Sequence, residues 1–233
     1  MAIFRFKKFD VRHEQSAMKV GTDGVLLGAW ADVSNCRHIL DIGAGTGLIA
    51  MMLAQRAIDA TIVAVEIDEP ASDEMRLNFS ACPWKDRIQA VNTEIQSFES
   101  PKSFDLIVSN PPYFNNGTLP PTTARKSARH ENTLSQYDLL KSVDRLLSPN
   151  GKLCIILPYQ EALEFERTAF EYELHLNKVL AFHAKEDKPA ERLLMEFSKN
   201  QNNKVISKLV HYTDNGDWTE DYKQLTRDFY IKL

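Results

Sequence analysis

One pattern recurs through the middle of the chain: a short, nearly continuous apolar run, a turn, then a longer stretch with helical spacing. The runs cover residues 38–42, 61–65, 87–92, 104–109 and 152–157, and the stretches between them include 48–54, 69–79 and 134–147. A strand that is apolar on both faces has to be covered on both faces. Such runs alternating with helices therefore predict a mostly parallel sheet sandwiched between helical layers, an α/β fold. A helix over 162–170 and runs over 178–182 and 192–198 extend the pattern to seven strands, and residues 205–212 are a candidate edge strand beyond them.

The N-terminus reads differently. Phe4, Phe6 and Phe9 alternate with Arg and Lys, which predicts a short extended or hairpin segment with one apolar face that caps something. Thr22 and Asp23 precede an apolar stretch and are expected to cap a helix that ends near Val33. Residues 115–131, rich in Pro, Thr, Asn and basic side chains, form a connection long enough to suggest a functional loop. Pro149-Asn150-Gly151 should stop the helix before the fifth strand. No repeat or linker divides the sequence, so residues 1–233 are expected to form one domain, with 1–33 as a cap segment within it.

The 233 residues carry a formal net charge of −4, which does not favour indiscriminate polyanion binding. Cys36, Cys82 and Cys154 are widely spaced, without a CxxC pair or a zinc-type His pattern. No disulfide, no metal and a reducing, cytoplasmic setting are expected. No segment approaches the roughly 20 apolar residues needed to span a bilayer, and no secretory leader is evident at the N-terminus.

The chemistry collects where strands end, which in open α/β sheets is the ligand crevice. Asp41-Ile-Gly43-Ala-Gly45-Thr-Gly47 follows the first strand. Its glycines let the backbone approach a ligand that any Cβ would strike. The spacing is GxGxG; in the dinucleotide pattern GxGxxG the third glycine would fall on Leu48, and Asp41 would repel a pyrophosphate while attracting an ammonium or sulfonium group. Glu66 ends the second strand, where a carboxylate can accept from both ribose hydroxyls, with Asp68 as a reserve. Glu94, near the end of the third, could accept from an adenine amino group. Any one such acid is ordinarily a solvated surface charge, but acids at successive strand ends are not ordinary. After the fourth strand comes Asn110-Pro111-Pro112-Tyr113. Two prolines remove two donors and fix two φ angles, so the strand stops in a stiff turn.

Asp41 to Gly47, Glu66, Glu94 and Asn110 to Tyr113 together resemble the class I methyltransferases that use S-adenosylmethionine and carry an NPPY motif after the fourth strand. That resemblance implies a Rossmann-like class I methyltransferase fold, with the cofactor held by the glycine turn, Glu66, Glu94 and Asn110. It also implies that the Asn110 oxygen and the Pro111 carbonyl accept the two N–H bonds of an exocyclic amine while Tyr113 stacks on the base. The stretches MKVGTDGVLLGAW, NFSACPWKDRI, SARHE and LTRDFYIKL are similar to bacterial methyltransferases that act on N6 of adenosine 37 in a valine tRNA. Within that family Lys19, Thr22 and Asp23 would line the methionine end of the pocket, and Glu94 stands where aspartate is more usual.

Arg125, Lys126, Arg129 and His130 cluster in the long loop and are expected to meet RNA phosphate; Lys7, Lys8, Arg12, Lys185, Lys188 and Arg192 add further charge. The same motif also serves guanine N2 methylation in rRNA and glutamine methylation in proteins. A dinucleotide-dependent oxidoreductase would explain the glycines and Glu66 but leave the Asn-Pro-Pro-Tyr turn without a role, and a non-catalytic RNA-binding module is the remaining alternative.

Overall fold

A computed structural model describes residues 2–16, 18–112 and 134–232 of the chain. Eight strands form one sheet: β3 (His38–Ile42), β4 (Thr61–Glu66), β5 (Ile88–Asn92), β6 (Phe104–Ser109), β7 (Leu147–Pro158), β8 (His175–His183), β9 (Ala190–Ser198) and β10 (Val205–Val210). Their spatial order is β5-β4-β3-β6-β7-β9-β8-β10. All neighbours are parallel except β9, which runs antiparallel to both β7 and β8. The order reverses at β3, so the crevice opens above the carboxyl ends of β3, β4 and β6.

Seven strands were expected, and the eighth is β10, the edge candidate at 205–212. It pairs in parallel with β8 through Val205 to Val210 and exposes Val205 and Ile206, which have no further strand beside them among the described residues. A half-exposed edge lacks the doubly buried apolar signature of the interior strands, which is why its pattern is weak.

Two cores sandwich the sheet. On one face α1 (Thr22–Trp30), α2 (Leu48–Arg56) and α3 (Glu69–Ala81) pack on Ile39, Leu106, Val108 and Ile156. On the other, α4 (Gln136–Leu146) and α5 (Tyr159–Phe170) pack on Leu40, Ile107, Leu153 and Ile155. Alternate strand residues thus serve opposite cores, as the pleat demands. Helix α1 is buried from Gly24 to Ala29, so it is apolar around its whole girth. Gly28 permits this, because a Cβ there would lie 2.8 Å from the Met52 sulfur on α2.

The aromatic N-terminus forms the hairpin β1 (Ile3–Arg5) and β2 (Asp10–Arg12). What it caps is the C-terminal tail after α6 (Glu220–Thr226): Phe6 stacks on Phe9 and Tyr230, Phe9 meets Trp84 edge-on, and Lys7 N–H donates to the Phe229 carbonyl. The N-terminal hairpin and the C-terminal tail are thereby joined.

Three boundaries differ from expectation. The N-cap of α1 is Gly21, with no side-chain hydrogen bond, and the helix ends at Trp30 instead of Val33. Helix α4 stops at Leu146, before Pro149, because Leu147 already pairs with Phe104. The Pro149-Asn150-Gly151 turn is absorbed into β7 as a register shift between the Phe104 and Leu106 pairings. The three cysteines are free and buried. No helix among the described residues is long and apolar enough to cross a membrane.

Candidate active site

The glycine turn joins β3 to α2 with Gly43, Gly45 and Gly47 at φ +69°, +54° and +80°, all left-handed. Two of these positions have opposite surroundings. A Cβ on Gly47 would lie 2.4 Å from the Phe79 ring, whereas one on Gly43 would meet nothing within 4 Å. Gly47 lets the loop sink onto α3, and Gly43 leaves bare backbone facing open space. The N–H groups of Gly43 and Ala44 donate to the Val65 carbonyl, and Gly45 N–H donates to Glu66 Oε2 at 2.7 Å. Glu66 therefore joins the end of β4 to the glycine loop.

Asp41 sits below that loop with no exposed surface. Its Oδ2 accepts from Ala50 N–H at 3.1 Å, while Oδ1 is buried with no hydrogen-bond partner. Burial first, and the nearby Glu66 carboxylate, push its carboxyl up to about 7, opposed by the Ala50 amide. At neutral pH a large share of this group is protonated. The negative charge expected there is thus latent, and a cation close above would draw it out.

The remaining acids at this end of the sheet are placed as follows. Asp68 caps α3, its Oδ2 accepting from Ala71 N–H, and its own N–H donates to Glu66 Oε1. Asn92 donates from Nδ2 to the carbonyls of Glu66 and Ile67, closing the gap between β4 and β5. Glu94 follows β5 with its side chain exposed.

On the other side of β3, Ser109 is opposite Ile42 in the β3–β6 register, and its buried hydroxyl donates to the Ile42 carbonyl. The first residues of the two turns, Gly43 and Asn110, therefore leave adjacent strands at the same level. Pro111 is buried and Pro112 exposed. Tyr113 and the basic group Arg125, Lys126, Arg129 and His130 lie outside the described residues.

Residues 13–16 and 18–20 belong to a strap that reaches both turns, with Ser16 beside Gly45 and Met18 beside Asn110, and the side chains that hold it were not singled out in the sequence. Glu74, buried on α3, accepts from the backbone N–H groups of Glu14, Gln15 and Ser16. Asn78, one turn on, bonds both backbone groups of Arg12 and the Thr46 carbonyl. Ser16 Oγ lies 3.4 Å from where a Gly45 Cβ would be. The signal was present: Glu74 and Asn78 are four residues apart on the face that also carries Ala71, Met75 and Phe79, where polar residues need buried partners.

Lys19, expected at the methionine end of the pocket, donates from Nζ to the Glu14 and Ser16 carbonyls and so braces the strap. Thr22 and Asp23 open α1 at the same end of the sheet. The Asp23 carboxylate accepts from Arg192 Nε at 2.9 Å, tying α1 to β9. Lys188 pairs with Asp187 at 3.7 Å on the exposed surface. Among the described residues no three His, Cys, Asp or Glu side chains gather as a metal-binding group.

Open backbone at Gly43, an unpartnered buried oxygen on Asp41, a carboxylate at the end of β4 and an amide beside them are what a nucleoside carrying a cationic group requires. The residues present fit S-adenosylmethionine.

Comparison with known proteins points the same way. The methyltransferase small domain family matches residues 16–185. The tRNA1(Val) (adenine(37)-N6)-methyltransferase of Bacteroides thetaiotaomicron is 44% identical over 99% of this chain and 98% of its own length. That of Trichodesmium erythraeum is 45% identical over 98% of each. Among solved structures, a predicted O-methyltransferase from Agrobacterium tumefaciens superposes with a TM-score of 0.68 at 17% identity, covering 89% of this chain and 96% of that one. The glycopeptide N-methyltransferase MtfA complexed with S-adenosyl-L-methionine does so with a TM-score of 0.56 at 15% identity, covering 78% and 100%. These two share the fold, while the family match and the full-length relatives fix kinship: the chain belongs to the methyltransferase small domain family and, within it, to the family of the tRNA1(Val) (adenine(37)-N6)-methyltransferases.

Proposed function

We propose that the protein methylates N6 of an adenosine in tRNA, adenosine 37 of a valine tRNA, with S-adenosylmethionine as methyl donor. The observation that carries this reading is the placement of Asn110, at the head of a proline-stiffened turn, level with the glycine loop on the adjacent strand. The whole chain, residues 1–233, acts as one methyltransferase domain in the cytoplasm, with residues 1–33 as its cap.

The bound cofactor supplies an electrophilic methyl group on a positively charged sulfur. Gly43 and Gly45 would hold it along the backbone, Glu66 and Glu94 would take its ribose and adenine, and Asp41 would answer its charge. Lys19, Thr22 and Asp23 would line its methionine end. Asp68 fixes Glu66 through its N–H.

An adenine amino group is a poor nucleophile because its lone pair is delocalised into the ring. The Asn110 oxygen and the Pro111 carbonyl accept its two N–H bonds, which turns the nitrogen toward tetrahedral geometry and aims the lone pair at the methyl group. Proline has no N–H to compete for those positions, so the acceptors are arranged before the substrate arrives. Once methylated, the nitrogen would release its proton to water. Tyr113 stacks on the extruded base, and Arg125, Lys126, Arg129 and His130 contact tRNA phosphates.

Methyl-labelled cofactor incubated with valine tRNA, followed by digestion to nucleosides, tests the reading. Label in N6-methyladenosine is expected, and it disappears when adenosine 37 is replaced by guanosine. Label confined to N2-methylguanosine, or incorporated only into protein, overturns it.

A further inference from the structure

An asparagine amide can rotate by half a turn with almost no change in shape. It works as an acceptor only if its oxygen, and not its NH2 group, faces the target amine. Something must choose between the two orientations. The prolines that follow Asn110 offer no N–H to hold its oxygen. Among the described residues, a contact that reaches the side chain comes from 92 residues away: Asn110 Nδ2 lies 3.5 Å from the Met18 sulfur.

A thioether accepts hydrogen bonds and cannot donate them. Met18 can therefore pair only with the NH2 end of the amide; the reversed amide would set oxygen lone pairs against sulfur lone pairs. Met18 is 49% exposed, so it does not serve the core. It is nonetheless firmly placed. Two residues before it, Ser16 is 2% exposed, its N–H bonded to the Glu74 carboxylate and its Oγ donating to the Met18 carbonyl. On its other side Lys19 Nζ reaches back to the carbonyls of Glu14 and Ser16.

We propose that Met18 is a positioning residue that sets the orientation of the Asn110 amide, holding its NH2 group on sulfur so that its oxygen is directed at the methyl-accepting amine. The inference rests on the methyl transfer to an amine proposed above.

Met18→Leu keeps the apolar bulk and removes the acceptor. It should lower kcat about three- to tenfold, the loss expected for one ordinary hydrogen bond. KM for tRNA, cofactor affinity and melting temperature should stay near wild type. The same change in an Asn110→Asp background should cost nothing further, because a carboxylate presents an acceptor whichever way it turns. In protein labelled with 15N-asparagine, the Asn110 side-chain NH2 signals, assigned by their loss in Asn110→Asp, should shift in Met18→Leu.

An unchanged NH2 signal in Met18→Leu overturns the proposal, as does an equal kcat loss in both backgrounds. The NMR measurement needs no substrate. A wild-type protein that makes no N6-methyladenosine would therefore sink the functional reading while this inference is still decided by the spectrum.

Discussion

The two halves of the site are rigid for different reasons. On the cofactor side the shape is local: three left-handed glycines within five residues fold the loop, and the adjoining strand end supplies its hydrogen bonds. On the acceptor side only the turn itself is local. The group that reaches it comes from distant sequence, Met18 onto Asn110, in a strap held by Glu74. A backbone-built half should fail by misfolding or by losing cofactor, and a side-chain-built half by losing turnover while remaining folded.

The largest effect expected is on the cofactor side and concerns pH. The folded-state pKa of Asp41 stands near 7, above the ordinary 3.8, so the folded protein holds this proton more tightly than the unfolded chain. Its contribution is favourable below about pH 4 and is lost as pH rises to about 7, a change on the order of 4 kcal/mol. Urea midpoints of wild type and Asp41→Asn measured between pH 4.5 and 8 should therefore diverge, with the variant gaining relative stability as pH rises. A constant difference would refute this account. Because a cation favours the ionised carboxylate, cofactor affinity in wild type should also strengthen through the same range, and calorimetric titration would show it.

Next come the glycines. Gly47→Ala meets Phe79 and an unfavourable φ together, and should cost about 3–4 kcal/mol of stability. Gly43→Ala has the φ cost alone, about 1–2 kcal/mol, and should instead weaken cofactor binding, since its new methyl enters the open side. Thermal melts with and without cofactor would separate the two, and equal melts for both variants would erase the contrast.

On the acceptor side, Asn110→Ala should reduce methylation roughly 100-fold, about 2.7 kcal/mol, with cofactor affinity changed less than about threefold. A parallel fall in cofactor affinity would move Asn110 to the other half of the site. The smallest effect is predicted for Glu74→Gln. One acceptor oxygen becomes a donor facing backbone N–H groups, which should cost about 1–2 kcal/mol and expose residues 13–20 to limited proteolysis. An intact strap in that variant would show that the Asn78 bonds to Arg12 and the Lys19 braces suffice.

Much of this was legible before the structure. The interior strands were, because burial on both faces leaves continuous apolar runs with few alternative explanations. The glycine loop and the Asn-Pro-Pro turn were legible because conformation there is dictated by the residues themselves. Errors fell where local preference is weak or overridden. Thr22 and Asp23 suit a helix cap, yet Asp23 bonds Arg192, 169 residues away, and Gly21 takes the cap position. The contacts of Lys19 Nζ with carbonyls of its own segment were equally out of reach of local pattern.

By itself the sequence determined the order of strands and helices, the open backbone of the cofactor loop and the stiffness of the acceptor turn, because glycine and proline act on φ and on N–H groups wherever they stand. Tertiary structure alone decided that Asp41 is buried enough to keep its proton near neutral pH, that Glu74 gathers three backbone amides, and that a methionine sulfur rests on Asn110. Desolvation and long-range hydrogen bonds depend on what surrounds a group in space, and no local pattern of residues encodes those surroundings.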